Sequence, residues 1–387
     1  MNGLLTVLLS STLCAFAKDA FTPLIGSPIT PNTIAFSETD GKQHIVYELI
    51  FTNTRPTPAT ITSIEVVGPA PGSETLASYS GAELLKRLRT LANNPVDNAE
   101  IEFNGSRLLL VELAFDTRAQ VPSRLEHRVR VMAAGAPGPA GPAVPLSYTI
   151  APVYVSSDPL ELGAPVVGKG WVAVNGCCTP AGVHRSSGLP VNGQIYFAQR
   201  FAIDWMLLDA EGRLVKGDPA DVHSYPCYGV DVLAVADGTV VDTLANLDDQ
   251  VPGELPDPKT INIDNVDGNH IVLDLGHGRY AFYAHLQKDS LHVAVGDHVH
   301  RGQVLAKLGN TGNTSGPHLH FHLMDGASVM GSQGLPYTID HFYLAGKLSK
   351  QQFDAAKGVE GDWSQGLSTQ PMLRKSEFPL DMMIVNF

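Results

Sequence analysis

From about Phe21 to Ser156, apolar and polar residues alternate with a period of two, the pattern of strands whose successive side chains point to opposite faces. Ile45, Tyr47, Leu49 and Phe51 interleave with Val46, Glu48, Ile50 and Thr52, and strand-like runs follow at 61–67, 107–115, 127–132 and 146–155. One helix interrupts them: Ser80, with Glu83 three residues on, forms a capping box ahead of Leu84, Leu88 and Leu91, which share an apolar stripe. Short strands in this succession predict a small β-sandwich of the Ig-like kind over 18–157. The Pro/Gly/Ala-rich stretch 133–145 lies between two strand runs and reads as a long hairpin loop rather than a linker.

Beyond Gly168 the pattern stays β, with short runs at 230–236, 239–243, 270–275, 280–285, 298–308 and 318–324 between turn signals such as Asp237-Gly238. The chain as a whole is therefore mainly β. A second, mostly antiparallel sheet domain is expected over 158–345, followed by a C-terminal extension at 346–387. The Asp- and Pro-rich stretch 245–267 reads equally as the wall of a cleft or as a surface excursion. Of the 14 histidines, 12 fall between His184 and His341, so the candidate chemistry lies in this half. His44 and His127 in the first half are scattered and read as structural.

With 387 residues, 44% of them hydrophobic, the chain can bury more than one core. Its formal charge of -13 provides no basic face for nucleic acid or for an anionic membrane surface. At the N-terminus, Leu4, Leu5, Val7, Leu8 and Leu9 followed by Ala15-Phe16-Ala17 read as a signal peptide over 1–17, although no Lys or Arg precedes the apolar run. Cys14 follows Leu13, where a lipoprotein motif wants a small residue. No other stretch reaches the ~20 apolar residues of a transmembrane segment. The expectation is an exported protein of the cell envelope, periplasmic or extracellular. Export leaves Cys177, Cys178 and Cys227, and an oxidising compartment favours a bridge from one of the pair to Cys227. Zinc binding by the pair is the rival, against the usual Cys-x2-4-Cys spacing.

The run His318-Leu319-His320-Phe321-His322 puts three imidazoles on one face of a strand. Such a pair at i, i+2 can set one nitrogen on a metal and its neighbour beside a water. Alone, the run fits histidines on a half-solvated strand better than a metal site. Its surroundings are more specific. Ile203-Asp204 is followed by Tyr228-Gly229-Val230 leading to Ala236-Asp237-Gly238-Thr239, then Tyr283-Ala284-His285-Leu286 and Val295-Gly296-Asp297 with Arg301-Gly302-Gln303. Gly309-Asn310-Thr311-Gly312-Asn313 then runs into Gly316-Pro317-His318-Leu319-His320. In this order the chain resembles the lysostaphin-type (LytM-like) zinc metallopeptidases from roughly Ala202 to Asp325.

The resemblance implies a zinc-dependent endopeptidase acting on peptidoglycan peptides, with Asp204 and His320 as Zn2+ ligands and His285 and His318 as the catalytic histidines flanking the attacking water. It also exposes a departure. Four residues before Asp204, where the family carries its first ligand histidine, stands Arg200, whose guanidinium stays protonated and offers no lone pair. Three readings are open: His184, or failing that His322, supplies the third ligand; Arg200 pairs with Asp204 in a site that only binds wall peptide or serves a partner wall hydrolase; or Asp204, His320 and extra water suffice. The remaining histidines, His223, His270, His277, His292, His298, His300 and His341, read as ordinary polar positions. Asp248, Asp249 and Asp257 lack the ligand spacing of a calcium loop.

Overall fold

The computed structural model describes residues 19–70, 72–135, 141–356 and 358–387. The expected signal peptide and Cys14 lie outside the described residues, as do positions 136–140 of the expected hairpin loop. The strands flanking that loop pair with each other, Ala134 opposite Ala143.

Alternation in the first half produces two facing sheets. The principal strands are Gln43–Asn53 (β1), Ala59–Val67 (β2), Ser106–Phe115 (β3), Arg124–Ala134 (β4) and Ala143–Ser156 (β5). β1 pairs with β3 in one sheet, and β5, β4 and β2 follow one another in the other. Ile45, Tyr47, Leu49 and Phe51 of β1 enter one buried cluster with Ile64 of β2, Val129 of β4 and Val153 of β5. The opposite face of β1 is buried as well: Val46 joins the core of the second half, and Ile50 packs by Phe197. A half-solvated face would carry polar residues, so its apolar content reflects the second domain lying on it.

The expected helix shrinks to a single turn, Gly81–Leu85 (α1), and the Ser80 side chain makes no capping bond. Glu83 accepts from Lys86 instead of reaching back. Leu88 and Arg89 leave the helix to pair with Leu109 and Leu108 of β3, and Leu91 is exposed. Ladder bonds and burial of Leu88 outweigh the small helix propensity of a few leucines.

In the second half the main sheet contains Lys169–Val174 (β6), Ile203–Leu207 (β7), Asn269–Asp274 (β8), Tyr280–Leu286 (β9), Leu319–Met324 (β10), Tyr337–Lys347 (β11) and Met383–Asn386 (β12). Their order is β11-β12-β6-β7-β10-β9-β8, each neighbour antiparallel. Residues 346–387 are therefore no appended extension: buried Met383, Ile384 and Val385 insert β12 between β11 and β6. The run expected at 298–308 splits into His298–Val299 and Val304–Lys307 around a turn at Gly302 (φ 82°).

The cysteines also differ from expectation. Cys177 and Cys178 are bridged to each other, and Cys227 is free. Cys227 is buried, donates to the Pro317 carbonyl at 3.1 Å, and has its thiol pushed up to about 12 by burial. No helix among the described residues is long and apolar enough to cross a membrane.

Two outcomes follow from buried titratable groups. His127 is fully buried, its Nδ1–H donates to Ala151 O at 2.8 Å and its Nε2 accepts from Tyr47 at 2.8 Å; burial lowers its pKa to about 4. An unfolded histidine titrates near 6.5, so the unfolded chain takes the proton first, and this contribution to stability is complete above about pH 6.5 and lost as pH falls toward 4. Urea midpoints across that window are expected to show a loss of about 3 kcal/mol that is absent in His127→Gln. The Cys227 thiol is expected to stay silent to a disulfide reagent at mildly alkaline pH until the chain is unfolded, and Cys227→Ser should remove the label that unfolding exposes.

Candidate functional site

Register builds the site. Asp204 on β7 lies opposite His320 on β10, and His320 lies opposite Ala284 on β9. Because strand side chains alternate, Ile203, Trp205, Leu319, Phe321 and Tyr283 enter the core, while Asp204, His320, His322 and Phe282 project from the other face. His320 Nδ1 lies 3.0 Å from Asp204 Oδ1. His318, just before β10, places its Nε2 3.4 Å from the same oxygen. His285, held at a positive φ of 61° near the end of β9, brings its ring centroid to 4.7 Å from that of His318.

His184 arrives from a loop after β6. Its Nε2 is 3.4 Å from Asp204 Oδ2, and its ring stands edge-on to His320 with centroids 4.8 Å apart. His184, Asp204 and His320 form a buried group whose ligand atoms all lie within 4.8 Å of one another. His322 is not part of this group. It touches His320 from the other edge, Nδ1 to Nε2 at 2.9 Å, and its own Nε2 has no partner among the described residues.

Arg200 points away from Asp204. Its Nε donates to Glu48 Oε1 at 2.8 Å and its Nη2 to Glu48 Oε2 and to Gln333 Oε1, with Nη1 on the Gly334 carbonyl. The partner expected in one reading, Asp204, is replaced by a carboxylate of the first domain. Asp204 instead receives Asn175 Nδ2 on Oδ2 at 2.7 Å. Nothing in the sequence around Asn175 marks this role, and Glu48 was readable only as an outward position of β1.

Backbone carbonyls fix three tautomers, because a carbonyl can only accept. Nδ1–H of His184 donates to Ala202 O, that of His285 to Thr311 O and that of His318 to Gly316 O, at 3.1, 2.8 and 2.8 Å. In the neutral rings each Nε2 is left with a lone pair. The His184 lone pair therefore faces a carboxylate oxygen, an arrangement of acceptor against acceptor that calls for a cation or proton between them.

Donor type and spacing fit zinc. Ligands ~2.1 Å from a tetrahedral zinc lie about 3.4 Å from one another. His184 Nε2 lies at that spacing, 3.4 Å from Asp204 Oδ2, while His320 Nδ1 stands at hydrogen-bond distance, 3.0 Å, from the other oxygen, Oδ1.

The electrostatics centre on Asp204. Burial would raise its carboxyl, but the attraction of His184 and His318 in their protonated forms and hydrogen bonds from His318 and His320 hold it well below the usual carboxylate range. Burial lowers His320 to about 4, and burial together with the neighbouring imidazoles His318 and His320 keeps His285 neutral. His318 goes the other way: burial opposes its charge, and the Asp204 carboxylate beside it prevails and raises its pKa. A cavity of about 390 Å³ opens on the same half of the molecule, lined by Asp242, Ile263, Asp264, Asp267, His270 and Val329. The 245–267 stretch thus contributes a wall through Ile263, Asp264 and Asp267. The Asp267 carboxyl, raised to about 7 by burial, sits in the residue whose backbone carbonyl accepts the amide of His285.

Residues 223–331 match Peptidase family M23. The match contains His285, His318, His320 and His322, while His184, Arg200 and Asp204 precede it. Over 57 residues, 15% of this chain, the sequence is 42% identical to peptidoglycan DD-endopeptidase ShyA of Vibrio cholerae serotype O1, and the aligned part is 13% of that protein. Similar solved structures include the catalytic domain of the antimicrobial peptidase lysostaphin from Staphylococcus simulans, at 24% identity and a TM-score of 0.22 over 38% of this chain and 80% of that one. A zinc-containing peptidase from Vibrio cholerae aligns at 14% identity and a TM-score of 0.24 over 78% of this chain and 85% of that one. Over residues 223–331 this chain is thus similar to peptidase family M23.

Proposed function

We propose that this protein is an exported zinc endopeptidase that cleaves peptide bonds in peptidoglycan, with His184, Asp204 and His320 as the ligand set. The observation that carries the reading is the convergence of the His184 Nε2 lone pair and His320 Nδ1 on the Asp204 carboxylate. The family match supports peptide hydrolysis, and the stretch shared with the Vibrio cholerae endopeptidase supports a wall substrate.

Bound zinc would supply a Lewis acid for the scissile carbonyl and lower the pKa of water to about 7. The protein's own residues do the rest. His318 places its Nε2 3.4 Å from Asp204 Oδ1, His285 packs edge-on against His318, and their Nδ1–H groups donate to the Gly316 and Thr311 carbonyls, which hold both rings. One accepts the proton of the attacking water and returns it to the departing amine. The other, when protonated, donates to the carbonyl oxygen as negative charge grows on it. Asn175 holds Asp204 from the side away from His320, and His322 holds His320 from the side away from Asp204, so both keep their orientation.

Metal analysis of the purified chain is expected to give one zinc per molecule, lost in Asp204→Ala and His320→Ala and strongly depleted in His184→Ala. A metal-free wild type that does not hydrolyse peptidoglycan would sink the enzyme reading and leave a wall-binding module, and hydrolysis unaffected by these three substitutions would sink the ligand set. His285→Ala and His318→Ala should separate binding from chemistry: both are expected to keep zinc while losing about 10²- to 10⁴-fold in kcat on purified peptidoglycan.

A further inference from the structure

We propose that the first domain helps to build the metal site, with Glu48, acting through Arg185, as a positioning residue for His184. This inference rests on the reading of His184 as a ligand. His184 sits in a loop, and a loop side chain has no sheet register to aim it. Within its own domain the imidazole is tied by one bond, to Ala202 O.

The rest of the loop is tied to the sandwich. Arg185, adjacent to His184 and almost fully buried, passes its guanidinium into the sheet formed by β1 and β3. There Nη1 pairs with Glu48, and Nη2 donates to Tyr47 O at 2.9 Å and Val111 O at 3.3 Å. Arg89 of the first domain donates to Pro180 O at 2.9 Å, and Cys178 Sγ lies 3.0 Å from Glu38 Oε1. The loop from Cys178 to Arg185 is thus gripped at three points by a domain that contributes no ligand candidate to the His184, Asp204 and His320 group.

Glu48 is the hub of that grip. It has no solvent exposure and compensates both Arg185 and Arg200, the residue standing where the resemblance expects a ligand histidine. Without its charge two buried guanidiniums lose the carboxylate they share, Arg185 keeping only the Tyr47 and Val111 carbonyls and the more distant charge of Glu112, and Arg185 gains by moving toward water. His184, one residue away, moves with it.

A purely adhesive role would change domain stability and leave metal affinity alone, so the test reads zinc affinity by chelator competition on the full chain. Glu48→Gln is expected to bind zinc 10- to 100-fold more weakly, as removal of groups that orient metal ligands does elsewhere. Val129→Ala, in the opposite sheet of the sandwich, should lower Tm without changing zinc affinity. If Glu48→Gln fails to fold, Arg185→Lys serves instead: it keeps the charge but cannot span the carboxylate and two carbonyls, and the same weakening is expected. Zinc affinity within about twofold of wild type in a folded Glu48→Gln or Arg185→Lys chain, with Asp204→Ala still losing metal, would overturn the inference alone. Wild-type affinity in Asp204→Ala would overturn the ligand reading beneath it.

Discussion

A carboxylate removed from water is among the costliest groups a fold can carry, and Glu48 is removed completely. It is tolerated because two guanidiniums from the second domain close around it, one of them through a two-pronged contact that satisfies both oxygens. The arrangement is asymmetric in energy. Replacing all three groups by apolar ones can be nearly neutral, whereas deleting one strands the others at a cost of about 3–5 kcal/mol. The constraint therefore fixes how the two domains meet: β1 must be buried on both faces, and the second domain must present Arg185 and Arg200 at one point. It also settles what Arg200 does. Its fork is spent on Glu48, so the position four residues before Asp204 serves the domain interface and leaves the Asp204 carboxylate to histidines.

The site itself depends on strand parity. Asp204 and His320 are directly opposed, so a one-residue slip of β7 against β10 would drive Asp204 into the core, away from His320, and turn Ile203 and Trp205 out of it. Burial of those aromatic and aliphatic residues in the core holds the register that holds the site. His322 and Phe282 follow the same parity and floor the neighbouring surface.

How far the sequence disclosed this depended on sequence distance. The β1 alternation and the runs around β3, β4, β5, β8, β9 and β10 were visible because period-two burial is local. The pairing of His320 with Asp204 followed from a resemblance whose motifs stand in order along the chain. His184 stood among the candidates because it is a histidine close upstream. What stayed hidden was decided by partners far away in sequence. Arg200 and Glu48 are 152 residues apart, and Leu88 left its helix for a strand that begins 18 residues later. Cysteine pairing could not be deduced from three cysteines without geometry, and the vicinal bridge took the place of the expected link to Cys227. The strand Met383–Asn386 is a short apolar run that only its slot between β11 and β6 explains.

On the proposed reading, the ligands differ in how they are held, and that difference shapes the site. Asp204 and His320 are fixed by hydrogen-bonded register on neighbouring strands and need little further ordering to meet a metal. A histidine four residues before Asp204 would sit in the short turn that leads straight into β7, close to that rigid register. His184 does not: its loop must be ordered, and ordering each residue costs about 1–2 kcal/mol of conformational entropy. Contacts from Arg185 and Arg89 supply that ordering before any ion arrives, so the cost falls on domain docking and not on metal binding. Moving a ligand from the turn that enters β7 to a loop 20 residues before Asp204 therefore goes together with a first domain that holds the loop. The two departures, an arginine at the usual ligand position and a histidine 20 residues before Asp204, are then parts of a single exchange, joined through Glu48.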